Sequence, residues 1–498
     1  DGDFELGVNA GSSIAVTSSV IDQNPALQIQ RVQFATSTGI SSGYNVTETG
    51  TPSSYWWFRS HYGNYAGENY DNDPAGDPGF IHWDDSGFTI SVSGTVYTDE
   101  GVTHMTSPVC DGTTPVVKLV VSGGSTYTAS CVSGTGAYTM PAVQFSGDAV
   151  FTVFLDTNGG ARAATVTRTP STNMTGLDLY QNALVVRHEG TSALTIANLA
   201  AYDSSDDADI AFTATVGSPD TLVLEPDNEL YVLTGKTFSP GGNVTLTSGG
   251  SGSNRDARLF VATSSVYVAS TTESHSIGGN LVLSGSATFT TASTTFTFTA
   301  TTTGKSIYTL QPITFYNATF NGSGGNWNFV SATTSTTTVS HALTITAGTI
   351  SGTSDIKVST GGIAGSGTVA MTGGTVRLEG TGSFGNGNAW QFYNLITGNG
   401  SGSGTISKSG AGTTTISNVL TIATNEALQA GSSDWVLTKG GTPFVVSGLF
   451  TVQTAPFYYT ATTSTSVKAT TYAALTLAPA AVGTPTYTLL GGTLAATN

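Results

Sequence analysis

Charge is what this 498-residue chain has least of: 9% of its residues are charged, against about 25% in an average soluble domain. Basic residues are the scarcest, 15 against 32 acidic, for a net charge of −17. Proteins that track phosphates need a basic stripe, so the balance excludes a nucleic-acid partner. Long apolar runs are missing too. No stretch of about 18 apolar residues is present, so nothing in the chain reads as a membrane-spanning helix. Cysteine occurs twice, at Cys110 and Cys131. Two cysteines alone cannot supply a four-ligand structural zinc site, whereas a disulfide in an oxidising compartment needs only a pair. The pair reads as that disulfide, with two buried thiols as the alternative.

Catalytic signatures are also scarce. The six histidines, His61, His82, His104, His188, His275 and His341, are scattered, with no H-E-x-x-H among them. There is no G-x-S-x-G elbow, P-loop or dinucleotide fingerprint. Beyond residue 243 the acids are reduced to Asp256, Glu273, Asp355, Glu379, Glu426 and Asp434. An enzyme of the polysaccharide-degrading kind would need two of these to converge in one groove, and it ranks third among the functional readings.

Solubility in such a chain rests on Thr, Ser, Asn and backbone groups. Thr is β-branched and suits a pleated face, and the 62 glycines supply turns with positive φ. The expected fold class is therefore all-β. Phe315-Tyr316-Asn317-Ala318, the turn Asn321-Gly322-Ser323-Gly324 and Leu343-Thr344-Ile345 return as Phe392-Tyr393-Asn394-Leu395, Asn399-Gly400-Ser401-Gly402 and Leu420-Thr421-Ile422, at one interval of 77 residues. Self-similarity at a fixed interval in turn-punctuated sequence marks a solenoid. A smaller apolar-x-apolar phrase recurs at Val244-Thr245-Leu246, Leu281-Val282-Leu283 and Leu475-Thr476-Leu477, with Leu, Ile, Val and Phe expected inside and Thr and Ser outside. The last such phrase, 489–494, lacks a polar cap, which implies more chain or a covering partner.

Read in order, residues 1–92 form an expected β-sandwich that holds most of the aromatic clusters. Trp56, Trp57, Tyr62 and Trp83 could stack on sugars or simply fill the core. The acids Asp71, Asp73, Asp77, Asp84 and Asp85 lie in or beside a Pro- and Gly-broken loop. They offer hard oxygens to Ca²⁺, although Asp beside Pro and Gly also favours turns for its own sake. Residues 93–157 change to short strands split by turns, 158–240 make a connector with a short helix expected over 196–202, and 241–498 form the solenoid. Asn45, Asn173, Asn243, Asn317, Asn321 and Asn399 each fit the N-x-Ser/Thr pattern, which would mark exposed positions in a host able to glycosylate them.

The order Gly94-Thr95-Val96-Tyr97-Thr98-Asp99-Glu100-Gly101 followed by Gly134-Thr135-Gly136-Ala137-Tyr138 resembles the immunoglobulin-like modules of the carboxypeptidase-regulatory and collagen-adhesin kind. This implies a spacer or stalk element stapled by the cysteine pair. The Thr-, Ser- and Gly-rich passage over roughly 80–498, with its F-Y-N-L phrases, resembles repeat regions of very large cell-surface, adhesin-like proteins of uncultured bacteria. That likeness implies an extracellular, surface-attached role and brings no catalytic residue with it. The expected protein is a structural subunit of a surface assembly (filament, sheath or surface layer) or an adhesive stalk, and it associates with copies of itself. The alternative is a module that binds polysaccharide or a host surface through the N-terminal aromatic and acidic loop.

Overall fold

The computed structural model describes Phe58–Arg59 and Phe80–Ile81 and, with short breaks at 146–147, 169–172, 251–252, 271, 332–334 and 480–483, residues 88–496. The chain divides into two compact units, Asp1–Gly87 and Phe88–Asn498. In the first, Phe58–Arg59 pairs antiparallel with Phe80–Ile81. The second is all-β: among the described residues its only α-helix is Ile196–Leu199, opened by Thr195, whose hydroxyl caps the Asn198 amide.

Two sheets begin the second unit. In one, Phe88–Tyr97 pairs antiparallel with Ala137–Phe145 and parallel with Leu179–Tyr180. In the other, Thr126–Ala129, Val117–Val121, Val150–Leu155 and Ala164–Arg168 run antiparallel in that order. Between them lie Val92, Val96, Leu119, Val143, Phe151, Val153 and Leu155. Cys110 and Cys131 are joined within this core as a disulfide, with Cα atoms 4.7 Å apart.

Every residue of Val150–Leu155 is buried, as its nearly unbroken apolar sequence demands of a strand covered on both faces. The alternate residues Val150 and Phe154 turn away from the sandwich and belong to the solenoid core. The same sheet then changes from antiparallel to parallel where Ala164–Arg168 meets Ala183–Val186. The hydrogen bonding thus passes residue 157 without interruption, and the sandwich closes one end of the solenoid.

From there the chain winds in coils of three faces. The first face is a single parallel sheet of thirteen rungs, from Ala183–Val186 through Glu229–Val232, Leu259–Val261 and Leu281–Leu283 to Ala474–Leu477. At about 4.8 Å per rung the stack is about 60 Å long. The second face begins with Thr237–Phe238, Val266–Ala269 and Thr288–Thr291 and continues through Asp355–Val358, Thr375–Leu378 and 394–397. The third carries Asp220–Leu224, Gly242–Leu246, Ser274–Ile277 and Thr295–Phe298, and later Gly382–Phe384, Thr405–Lys408 and Ala427–Gln429. The long strands Ile313–Ser331 and Thr336–Gly352 run through all three faces without a break.

Alternation sets the inside and outside of each rung. Asp355–Val358, Thr368–Met371, Thr375–Leu378 and Thr405–Lys408 all bury their second and fourth residues. A strand of four residues cannot bury an apolar face alone, so stacking supplies it. Phe298 stacks on Phe320 at 4.8 Å, and Trp435 on Phe457 at 5.6 Å, so inner rows of like side chains run along the axis. Coils also approach closely at the corners. A Cβ on Gly412 would lie 1.7 Å from the Asn388 carbonyl, so only glycine fits there.

The 77-residue interval is not a whole number of turns. Leu281 lies opposite Ile307, Phe329 opposite Gly352, Ile350 opposite Val369 and Phe457 opposite Leu475, which makes coils of roughly 18 to 26 residues. Phe315 sits on the second face and Ala318 on the third, whereas Phe392 sits on the first and Leu395 on the second. What recurs is a corner: the register slips between Phe315 and Asn317, and again between Phe392 and Asn394. The repeat therefore encodes a bend between faces, moved round by one face.

Candidate functional site

A polar groove of about 420 Å³ lies on the corner between the third and first faces. Thr303, Gly324, Asn326, Thr346, Gly348 and Asn388 contribute to its wall, and no charged residue lines it. Left-handed glycines at Gly324 (φ 81°) and Gly348 (φ 80°) let the chain turn there. A Cβ on Gly348 would lie 2.6 Å from the Gly322 carbonyl and 2.9 Å from the Trp327 ring. The Ser351 hydroxyl donates to Asn326 Oδ1 at 2.7 Å, and the Asn388 amide donates to the Ser366 carbonyl at 2.6 Å. Such a surface can exchange hydrogen bonds with hydroxyl groups. It holds no base, acid or activated nucleophile.

Among the described residues several charged groups lie elsewhere and hold the fold. Glu229, fully buried on the first face, receives Arg255 at 2.8 Å and Arg258 at 2.6 Å, and both arginines also pair with Glu100 of the sandwich. Burial pushes the Glu229 carboxyl up against the pull of the two arginines. Beside it Tyr97, Tyr180, Tyr231 and Phe260 form a ladder, with Tyr231 stacked on Phe260 at 4.8 Å and Arg258 over that ring. Burial, with Glu229 and Glu100 adding to it, pushes the Tyr231 hydroxyl up to about 12. This junction ties the sandwich to the solenoid.

Inside the coils, Tyr267 Oη lies 3.1 Å from His275 Nδ1, His275 Nε2 lies 3.2 Å from Glu273, and Ser270 Oγ donates to Glu273 at 2.5 Å. Burial works to raise the Glu273 carboxyl, but hydrogen bonds from His275 and Ser270 outweigh it and hold it below its ordinary range. The chain of groups resembles a proton relay in composition, but His275 and Tyr267 are sealed in the core, out of reach of any substrate. Lys408 is also buried. Its ammonium donates to the Gly412 carbonyl at 2.7 Å and to Ser433, and burial lowers its pKa.

Among the described residues one trio of acids comes together: Asp156, Asp207 and Asp209 present oxygens within 4.8 Å of one another. The Lys118 ammonium stands 2.8 Å from Asp207 and 3.4 Å from Asp156, where a metal would otherwise supply the positive charge. Asp209 accepts the amides of Thr157, Asn158 and Gly159, so the acidic stretch 203–209 is pinned by ordinary partners.

Three of the acids that sequence alone left open have partners of their own. Asp256 gathers Ser248, Gly249 and Asp227 donors, Asp355 accepts the Thr375 amide, and Glu379 pairs with Lys357 at 3.0 Å. Asp71, Asp73, Asp77, Asp84, Asp85, Trp56, Trp57, Tyr62, Trp83 and Asn45 lie outside the described residues. Of the remaining sequons, Asn173, Asn321 and Asn399 are exposed. Asn243 and Asn317 are half-buried and bonded to neighbouring coils, through the Ser274 amide and the Thr295 hydroxyl. Among the described residues no helix is long and apolar enough to cross a membrane.

What the fold defines is a β-solenoid closed at one end by a disulfide-bearing sandwich. Compared with known family models, curated proteins and solved structures, the chain matches none.

Proposed function

We propose that this chain is an extended structural element of an extracellular, cell-surface assembly, acting as a filament, sheath or surface-layer subunit or as an adhesive stalk. The observation that carries the reading is the continuous first face: thirteen rungs of one parallel sheet form a rod whose charged groups mostly hold it together. A rod of stacked coils provides length, and its hydroxyl-rich outer rows present a repetitive uncharged surface to identical neighbours. The disulfide fits an oxidising compartment, and the immunoglobulin-type resemblance fits a stalk module. The lining of the polar groove carries no charged side chain.

Light scattering and negative-stain microscopy of the purified chain test this, with concentration-dependent ordered assemblies expected. A monomer that stays dispersed to about millimolar concentration would overturn it.

A second reading, recognition of polysaccharide, draws on the polar groove and on the N-terminal aromatics, with calcium held by the 71–85 acids as its companion. Glycan arrays would favour it if binding falls on substituting Trp57 or Trp83 while the fold persists.

A further inference from the structure

Among the buried acids of the solenoid, Glu426 stands apart. Glu229, Asp256, Glu273 and Glu379 each meet an arginine, a backbone amide, a histidine or a lysine. Glu426 is 2% exposed, its Oε2 is fully enclosed without a hydrogen-bond donor, and it forms none of the ion pairs among the described residues. Enclosing an ionised carboxylate with an unmatched oxygen is costly, so a further partner is needed to complete it.

The local architecture favours a cation. Glu426 sits at the corner between the second and third faces, just before Ala427–Gln429, and its side chain turns back beneath the loop 398–404 of the preceding coil. Ala423 and Ala427 donate to the Thr397 and Gly404 carbonyls and so clamp that loop at both ends. Three glycines make the space. A Cβ on Gly398 would lie 1.9 Å from Glu426 Cγ, one on Gly402 would lie 3.0 Å from Oε1, and one on Gly404 would lie 2.9 Å from Oε2 and 2.0 Å from the Gly380 carbonyl oxygen. Oε2 thus faces Gly404 beside the Gly380 carbonyl oxygen, and Oε1 faces the exposed Gly402 on the side of the Asn399 amide oxygen, which already accepts the Ser401 and Gly402 amides. Buried oxygens of this kind, with no nitrogen donor on the carboxylate, suit a hard ion that tolerates irregular geometry.

We propose that Glu426 and the loop 398–404 form a binding site for a divalent cation of the calcium type. The site goes beyond the structural reading above and does not depend on it. With a single carboxylate its affinity falls in the weak class of extracellular modules, a Kd of about 0.1–1 mM.

The test uses the full chain, stripped of metal with EDTA and dialysed, then titrated calorimetrically with CaCl₂ and melted with and without 10 mM CaCl₂. Wild type is expected to bind in that range and to gain about 2–5 °C in Tm. Glu426→Gln should lose this component, while substitution of Asp73 and Asp77 together should retain it. Gly402→Ala, which places a methyl against Oε1, gives the same readout should Glu426→Gln fail to fold. A wild-type chain indifferent to calcium, or a Glu426→Gln chain with undiminished calcium response, overturns the site.

Discussion

Removing the Glu229 side chain is the sharpest way to ask whether the junction between sandwich and solenoid is held by charge. Glu229 is fully enclosed, and the side chains of Arg255 and Arg258 beside it are only 16% and 11% exposed. Glu229→Ala would leave two nearly buried guanidinium groups with only Glu100, itself 30% exposed, to offset them. Stranding one member of a buried pair typically costs about 3–5 kcal/mol, and the upper half of that range is expected because two cations lose one anion. Urea unfolding followed by near-ultraviolet circular dichroism is the assay, since Tyr97, Tyr180 and Tyr231 pack at this junction and report on it directly. Removing both arginines in the Glu229→Ala background should recover part of the loss, because the uncompensated charges go with them. A cost under about 1 kcal/mol for Glu229→Ala, or no recovery in the triple variant, would refute the charge lock and leave the tyrosine ladder as the main tie.

Three further outcomes are expected. Trp435→Ala empties a fully buried site, breaks the stack on Phe457 and frees the Ala430 carbonyl; thermal melts should record a loss of about 3–5 kcal/mol. Replacing Cys110 and Cys131 by Ala should cost about 3 kcal/mol for a loop of this length, read as a lower urea midpoint that a reducing agent no longer shifts. Stability should fall with acid: Glu273, Glu189 and Asp209 are all held below their ordinary ranges, burial opposing and hydrogen bonds prevailing. Their contribution is present above the unfolded values near 4 and drains away as pH falls further, so Tm at pH 3 should lie well below Tm at pH 6. An unchanged Tm would contradict the assignment.

Much of the architecture was legible because its rules are local. Apolar-x-apolar phrases such as Leu281-Val282-Leu283 and Leu420-Thr421-Ile422 fall in strands with the outer residues buried, whereas Leu475-Thr476-Leu477, on the last rung of the first face, leaves Leu477 exposed, and the helix expected over 196–202 exists as Ile196–Leu199. Period-two alternation also carried a signal that went unread. In Thr405-Ile406-Ser407-Lys408 it places Lys408 on the same side as Ile406, which is inside. The junction was hidden for a different reason: Glu100 and Arg258 are 158 residues apart, and no local pattern links them. The strand Val150–Leu155 showed its double burial in its composition, but which core lay on each side depended on the sandwich abutting the coils. Glu426 gave no sign at all, because a carboxylate before an Ala-Leu-Gln strand looks like any solvated turn residue until the preceding loop is laid over it.

The transposed corner bears on how such a chain can lengthen. Copying a bend together with its flanking segments need not return the copy to the side it left, so duplicated text is displayed toward a new direction. Tyr316 and Tyr393, twins in sequence, stand at different edges of the rod. A neighbour that recognises one would meet its likeness a partial rotation away, which gives a single polypeptide the means to engage contacts on more than one flank.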